Sequence, residues 1–569
     1  MNKLQKLLAL VLTIVMVFAA SIPALADMGP DEYAAAAKIE TTLADDYTGK
    51  TVILHTNDVH GAVASYAYIA ALRDTFTAKG AEVLLVDAGD FSQGTPYVST
   101  YKGMPAVLIM NLTHYDVVTL GNHEFDYGYA QLMNNINLIK GADYETRFIC
   151  ADVVLKETGE PILDGHTVIE TEGGLKLGFF GMETPETATK VNPGLITEIN
   201  FLFGSDLYTC AQAEIDALKA EEVDLVIGLT HLGVDKESAA NGYRSIDLYA
   251  NTTGADILLD GHSHTVMTAG ENGEPIQSTG TKFSHIGVVV IDNETKAIED
   301  NFLIPTTNGL YELFKDDEIT YYANSFIDEV DELYGDVFAT TEVLLNGDRA
   351  PGNRTQETNL GDLITDAMVW SVVKEGGIEQ EEKNVVGITN GGGIRAPINI
   401  GDVSMKDINT VLPFGNTVAV IYVTGEQLLE ALEASTFCTP KAIGGYPQTS
   451  GIKWTIDTTA EYDQGEVYTT ISGGESSYFA PASIKRVTIE SINGEPFDPE
   501  ATYAVVTNNF CAVGGDTYNV FKNAYVAGST FDTSIPMDEA VMQYITNALN
   551  GTITAETYGE VQGRTTQIR

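Results

Sequence analysis

Basic residues are scarce: Lys and Arg number 31 against 80 Asp and Glu in 569 residues, a net charge of −49. A surface that acidic repels phosphate polymers, so no nucleic-acid polymer is expected as a partner. A small anion binds only where local positive charge overrides the global field. Cysteine is sparse too. Cys150, Cys210, Cys438 and Cys511 stand far apart without a Cys-x-x-Cys pair, which suggests four buried thiols rather than a zinc ribbon or a disulfide framework. Beyond the N-terminus no stretch is apolar enough to span a membrane. At the N-terminus, Lys3 and Lys6 precede an apolar run from Leu7 to Ala20, and Ala24-Leu25-Ala26 supplies a small-x-small cleavage site. Residues 1–26 are therefore expected to be a signal peptide, the run being shorter than the ~20 residues a bilayer requires. The mature product is expected to be secreted, or periplasmic if the source has an outer membrane, with no transmembrane anchor.

What is present is a chain that is 44% hydrophobic and long enough for two or three domains. Residues 27–50 read as a loosely attached arm. Between Thr51 and about residue 310, runs such as TVILHTND, EVLLVDAGD, DVVTLGNHEFD, VDLVIGLTHLG and ADILLDGHSH alternate with amphipathic stretches. Such apolar runs suit strands buried on both faces of an α/β sandwich. Each of these ends in Asp, Asn or His, the place where α/β folds gather ligand sites. Residues 311–340 predict an interdomain helix, with Tyr311, Phe314, Tyr322, Phe326, Val330 and Leu333 near helical spacing. A smaller α/β domain is expected over 341–569.

Asp58 and His60 in HTNDVHG lie one residue apart, so on an extended strand end they share a face. The chain adds Asp90 in DAGD, Asn122 and His123 in GNHEFD, His231 in GLTHLG, and His262 with His264 in DGHSH. A mixed carboxylate, imidazole and amide set suits Mn, Zn, Co or Fe, and Asp90 is the natural bridge between two divalent ions about 3.5 to 4 Å apart. Each residue alone reads equally as a cap, a turn residue or a hydrogen-bonded core imidazole. Their joint placement beside glycines at strand ends carries the metal reading.

Read in order, ILHTNDVHG, DAGD, GNHEFD, THLG and GHSH resemble the calcineurin-like metallophosphoesterase domain of the secreted 5′-nucleotidase and UDP-sugar hydrolase family. The resemblance implies a four-layer α/β sandwich. It implies one ion held by Asp58, His60, Asp90 and His264 and a second by Asp90, Asn122, His231 and His262. By the same resemblance His123 and Asp126 form a catalytic dyad beside the scissile phosphate.

In the second domain, Arg354 and Arg395 stand beside turn or glycine-rich motifs, RTQETNLGD and NGGGIRAP, where planar guanidinium forks can clamp phosphate oxygens. Phe414 and Phe510 read as core aromatics or as two rings that stack on a base. Asp516 in GGDTY reads as a turn aspartate or as an acceptor for ribose hydroxyls. RTQETNLGDLITDAM, NGGGIR, LPFGNTV and NFCAVGGD are similar to the nucleotidase C-terminal domain. That similarity implies phosphate binding by Arg354 and Arg395, with Arg349 as a third arginine. It also implies base sandwiching by Phe414 and Phe510, base contacts from Asn390 or Asn416, and ribose contact by Asp516.

The expectation is a secreted two-metal phosphohydrolase acting on a small-molecule nucleotide, a 5′-nucleotidase whose range extends to UDP-sugars or nucleoside di- and triphosphates. A 2′,3′-cyclic-nucleotide phosphodiesterase with 3′-nucleotidase activity is the rival within the same chemistry. A surface binding or adhesion protein with a vestigial site is the rival from another class.

Overall fold

The computed structural model describes residues 43–191, 195–239, 242–306, 315–375, 382–470, 475–526 and 530–569. The expected leader, most of the N-terminal arm, and Tyr311 and Phe314 of the expected linker helix lie outside them. Among the described residues no helix is long and apolar enough to cross a membrane.

The first domain stacks two six-stranded sheets between helices. Strand Lys50–Thr56 lies at the middle of the first sheet, parallel to Glu82–Asp87, which continues through Val117–Thr119 to Arg147–Ile149. On its other side it meets His285–Asp292 antiparallel. In the second sheet Lys176–Glu183, Leu225–His231 and Ile257–Asp260 run parallel as neighbours. Ile53, Val86, Phe179, Ile227, Leu259 and Val289 fill the layer between the sheets, and separate apolar clusters pack helices on each outer face. The result is the expected helix–sheet–sheet–helix order. Its apolar runs are unbroken because each central strand is buried on both faces: all seven residues of Leu225–His231 are buried.

The end of the arm is not loose. Leu43 and Tyr47 are buried, and the Tyr47 ring meets Phe76 edge-on at 5.0 Å. The linker helix is observed as Asp317–Tyr334, where the Asp316 side chain caps it by accepting from Ile319 N at 2.8 Å. Tyr322 and Phe326 are part of the first domain's core and Val330 is buried, whereas Leu333 remains 38% exposed because it lies beyond the packed stripe. The helix thus belongs to the first domain and touches the second at its far end, where Lys406 Nζ reaches Asp331 Oδ1 at 2.8 Å.

The second domain is built on a five-stranded sheet in the order Pro447–Ser450, Val385–Asn390, Thr502–Asn508, Thr417–Thr424, Thr530–Pro536. Helix Asn359–Glu375 packs on one face and Gly425–Ala434 on the other. None of the four cysteines is in a disulfide; Cys150 and Cys511 are buried, but Cys210 and Cys438 are only half-buried, so the expectation of four buried thiols fails at those two.

One buried acid ties the first domain's sheets together. Asp152 follows the edge strand Arg147–Ile149 and accepts the backbone N–H of Glu183, at the end of a second-sheet strand, at 2.9 Å. Burial pushes its pKa up to about 7. A folded-state value above the unfolded one means that the fold prefers the protonated acid. This contribution is therefore complete below about pH 4 and is lost as pH rises through 7. Asp152→Asn stays neutral throughout and should lose less stability between pH 5 and pH 8 than the wild type, by about 2 to 4 kcal/mol. Denaturant unfolding of both proteins at the two pH values checks this, and parallel profiles would refute it.

Candidate active site

The polar residues that end the strands converge at one edge of the two sheets. Asp58 and His60 follow Lys50–Thr56, Asp90 follows Glu82–Asp87, His123 follows Val117–Thr119, and His262 and His264 follow Ile257–Asp260. Asp58, His60, Asp90, His262 and His264 all have left-handed backbone, with φ of 50°, 45°, 64°, 70° and 55°. Each such torsion costs of order 1 kcal/mol for a residue with a side chain, and persists only where neighbours hold it. Here Asp58 N donates to Gly89 O and His60 N to Asp90 O, both at 2.9 Å. Gly121 is required by close approach: a Cβ there would lie 2.5 Å from Asp90 Oδ1 and 2.8 Å from His231 Cε1.

Three overlapping donor sets have ligand atoms within 4.8 Å of one another: Asp58, His60 and His264; His60, Asp90 and His123; and Asp58, Asp90 and His231. Asp90 belongs to two of them. His262 joins on the far side, its Nδ1 at 2.9 Å from Asn122 Oδ1. The structure therefore brings Asp58, His60, Asp90, Asn122, His231, His262 and His264 into one cluster, all buried except the half-buried His262 and His264.

These donors fit divalent cations. His60 Nε2 and His264 Nε2 face each other at 3.0 Å, the spacing of two nitrogens bound about 2.1 Å from one ion at right angles. Asp58 Oδ1 and His231 Nε2 are buried and face only other donors of the cluster, Asp58 Oδ1 lying 3.4 Å from His264 Nε2 and His231 Nε2 3.2 Å from Asp90 Oδ2, the crowding of ligand atoms that a cation would relieve. Burial pushes His264 down to about 4 and His60 well below its ordinary range, so both rings are neutral ligands at pH 7. Burial would raise Asp90, yet the surrounding His231 and His123 imidazoles hold its carboxyl well below the usual range.

The second domain closes over this cluster and leaves a cavity of ≈ 310 Å³. Asp90, Asn122, His123, Asp126, His262 and His264 line it from below. Arg349, Arg354, Asn390, Arg395, Phe414, Asn416, Phe510 and Asp516 line it from the second domain. Every site residue named from the sequence thus reaches this cavity except Asp58, His60 and His231, which sit deeper in the donor cluster. His123 Nδ1 lies 2.7 Å from Asp126 Oδ2, and its ring stacks on Phe414 at 5.6 Å between centroids and 27°. Arg395 lies over the same Phe414 ring at 5.6 Å. Burial, then the neighbouring Arg349 charge, lowers the Arg395 pKa, while Asp90, Asp126 and Asp58 raise it across the domain boundary.

Local turns place these groups. Strand Val385–Asn390 ends in NGGG, where Gly391 N donates to Tyr446 O at 2.7 Å. A Cβ on Gly391 would lie 1.9 Å from Asn353 O, so glycine alone lets this turn meet the one that carries Arg354. Asn390 Nδ2 donates to Asp516 Oδ2 at 2.7 Å, and Asn508 Nδ2 donates to Asn390 Oδ1 at 3.0 Å. Asp516 has φ 48° and is 3% exposed. Thr517, which follows it, is fully buried and donates its hydroxyl to Ser435 Oγ at 2.9 Å.

Four supporting residues escaped the sequence reading. Glu124, inside GNHEFD, accepts backbone N–H bonds from Asp90, Phe91, Ser92 and Gly121 at 2.7 to 2.9 Å, which fixes the Asp90 loop. Burial, then the Asp90 charge, pushes Glu124 up to about 7. Glu186 Oε2 lies 3.1 Å from His262 Nε2, so it can hold the tautomer whose Nδ1 faces Asn122. Asp235 meets Arg349 across the domains at 3.8 Å. Asn509 lines the cavity with its buried Oδ1 lacking a hydrogen-bond partner. Glu124 and Asn509 were findable as polar neighbours inside motifs already singled out; Glu186 and Asp235 carry no such signal.

Comparison with known proteins agrees with this geometry. Residues 51–266 match the calcineurin-like phosphoesterase model and residues 337–523 match the 5′-nucleotidase C-terminal domain model. The chain is 29% identical over 518 residues to the trifunctional nucleotide phosphoesterase protein YfkN of Bacillus subtilis (strain 168), which covers 83% of this chain but only 32% of that protein. It is 27% identical over 516 residues to the snake venom 5′-nucleotidase of Crotalus adamanteus, covering 83% of this chain and 82% of that one. Among solved structures, the 5′-nucleotidase precursor from Thermus thermophilus superposes with a TM-score of 0.72 at 26% identity, covering 91% of this chain and 99% of that one. With a phosphoesterase domain that presents metal donors and a second domain that closes over them, the chain belongs to the 5′-nucleotidase family and is a metal-dependent phosphoesterase.

Proposed function

We propose that this protein is an exported nucleotide phosphohydrolase that uses two divalent ions and releases orthophosphate and nucleoside from nucleoside 5′-monophosphates. One observation carries the reading: Asp90, Asn122, His262 and His264 of the donor cluster share a single cavity with the arginines, the two phenylalanines and Asp516 of the second domain. Asp58, His60, Asp90 and His264 would hold one ion and Asp90, Asn122, His231 and His262 the other, drawn from Mn, Zn, Co and Fe. Such ions would neutralise negative charge on the phosphate oxygens and activate the attacking water.

The chain's own residues do the rest. Arg349, Arg354 and Arg395 clamp the phosphate oxygens, and Phe414 with Phe510 holds the base. Asp516, positioned by Asn390, accepts the ribose hydroxyls, and Asn416 borders the base. Water attacks phosphorus as the bond to the 5′-oxygen breaks; His123, protonated and oriented by Asp126, gives its proton to that oxygen, and the proton released by the attacking water restores His123 once the nucleoside has left. Closure of the second domain keeps the reacting groups together and excludes bulk water. The leader at residues 1–26 supports export.

The test is a panel of AMP, 3′-AMP, cyclic AMP and UDP-glucose run with Mn, Co, Zn and Fe. AMP is expected to be the preferred substrate, with UDP-glucose as the extension to diphosphates. Preference for the cyclic or 3′-nucleotide would favour the rival phosphodiesterase, and no phosphate from any substrate would favour a binding protein. Phe510→Ala and Phe414→Ala are each expected to raise KM for AMP about 10- to 100-fold with little change in kcat, since base–aromatic stacking contributes about 1 to 3 kcal/mol. Steady-state kinetics of the two variants check this.

A further inference from the structure

Asn57 stands between the end of strand Lys50–Thr56 and the donor Asp58, and it is 1% exposed. Its side chain makes four hydrogen bonds. Oδ1 accepts from Thr279 N at 2.8 Å and from Thr279 Oγ1 at 2.7 Å. Nδ2 donates to Asp58 Oδ2 at 2.7 Å and to Gly280 O at 2.9 Å. The partners allow only this orientation of the amide. A backbone N–H can only donate, so the atom facing Thr279 N is the oxygen; a carbonyl can only accept, so the atom facing Gly280 O is the nitrogen. The amide's two donors and two acceptor positions are all in use.

The consequence falls on Asp58. Its Oδ2 is held by the amide, and a Cβ on Gly261 would lie only 3.1 Å from that oxygen. Its Oδ1 faces the donor cluster, 3.4 Å from His264 Nε2 and 3.9 Å from His60 Nε2. The Asp58 carbonyl is fixed by the same turn, accepting from Thr281 Oγ1 at 2.9 Å and from Lys282 N at 2.8 Å. That turn also reaches the chain just past His264: Gly280 N donates to Thr265 O at 3.0 Å, and Thr279 pairs with Val266. Residues 279–282 thus hold Asp58 and the His264 segment in one frame, and Asn57 carries that frame to the carboxylate. Other donors depend on different partners. His231 Nδ1 faces Ala88 O at 2.6 Å, and His262 lies between Asn122 and Glu186.

We propose that Asn57 is a positioning residue of the metal centre, which turns Asp58 so that Oδ1 alone is presented to the ion shared with His60 and His264. Without the amide the carboxylate rotates about a broad terminal torsion, and ion binding must then order it. The proposal rests on the two-ion reading of the donor cluster.

Cobalt titration of the metal-free full chain, followed by calorimetry and visible absorption, tests this without turnover. The wild type is expected to bind two ions. Asn57→Asp keeps the shape of the side chain but sets a carboxylate oxygen against Asp58 Oδ2 and Gly280 O. Asn57→Ser is shorter, adds no charge, and decides the matter if the first variant does not fold. Each is expected to weaken one ion about 10- to 100-fold and the other by less than about threefold. Thr51→Val removes the Thr51 Oγ1 bond to Asn293 Oδ1 at the far end of the same strand and serves as the stability control. Its melting temperature should fall while both affinities stay. Unchanged affinities in the Asn57 variants, equal weakening of both ions, or weakening in Thr51→Val overturns the positioning role and leaves the two-ion reading standing. A wild type that binds one ion defeats the two-ion reading instead, and the role of Asn57 then stands only if that ion is weakened in its variants. A wild type that binds none defeats both.

Discussion

Asp90→Asn is expected to cut phosphate release from AMP by about 10³-fold or more while the fold and the nucleoside site survive. The size follows from position: Asp90 offers oxygens to two of the three donor sets, so one substitution weakens both ion positions. Losing even an outer hydrogen-bond partner of a metal ligand costs about 10- to 100-fold in affinity or activity. A donor shared by two ions should cost more. The amide keeps the shape of the side chain and tolerates the left-handed backbone at this position. Metal content by elemental analysis should fall, while circular dichroism and the melting profile of the metal-free protein stay near wild type. Near-normal turnover would defeat the two-metal reading.

His123→Ala is expected to lower kcat about 10²- to 10⁴-fold, the usual contribution of a positioned proton donor. KM should change little, because the base and ribose contacts come from the other domain. Asp126→Asn should give a smaller loss, as it alters the ring's orientation and tautomer without removing the ring. His123 is also part of a donor set with His60 and Asp90. The experiment therefore includes metal content: a fall in bound metal together with kcat would make His123 a ligand rather than a proton donor. An AMP analogue with a better leaving group separates the two roles further, since it should rescue a missing proton donor and leave a missing ligand unrescued.

Much of the first domain was legible because physics writes it locally. A strand buried on both faces must be an apolar run, and a ligand site at its end must interrupt that run with polar residues, as in VDLVIGLTHLG. The second domain's contacts were less legible from residue type. Phe414 and Phe510 look like any core aromatic until the fold sets them beside Arg395 and Asp516 around one cavity. What escaped depends on distance along the chain. Glu186 reaches His262 across 76 positions, and Asp235 meets Arg349 only because two domains touch. The burial of Leu43 and Tyr47 was missed for a similar reason: two apolar residues in an Ala-rich stretch form no periodic pattern, and only the helix beneath them gives them a place.

The five donor positions with left-handed backbone also limit what this scaffold can become. Asn, Asp, His and Gly adopt such torsions far more readily than β-branched or bulky residues. The loops therefore select their own ligand chemistry, favouring short carboxylates, amides and imidazoles over longer or branched side chains. Retuning the protein toward another cation by exchanging ligands one at a time is accordingly a narrow path. Wider choice would require rebuilding the loops themselves.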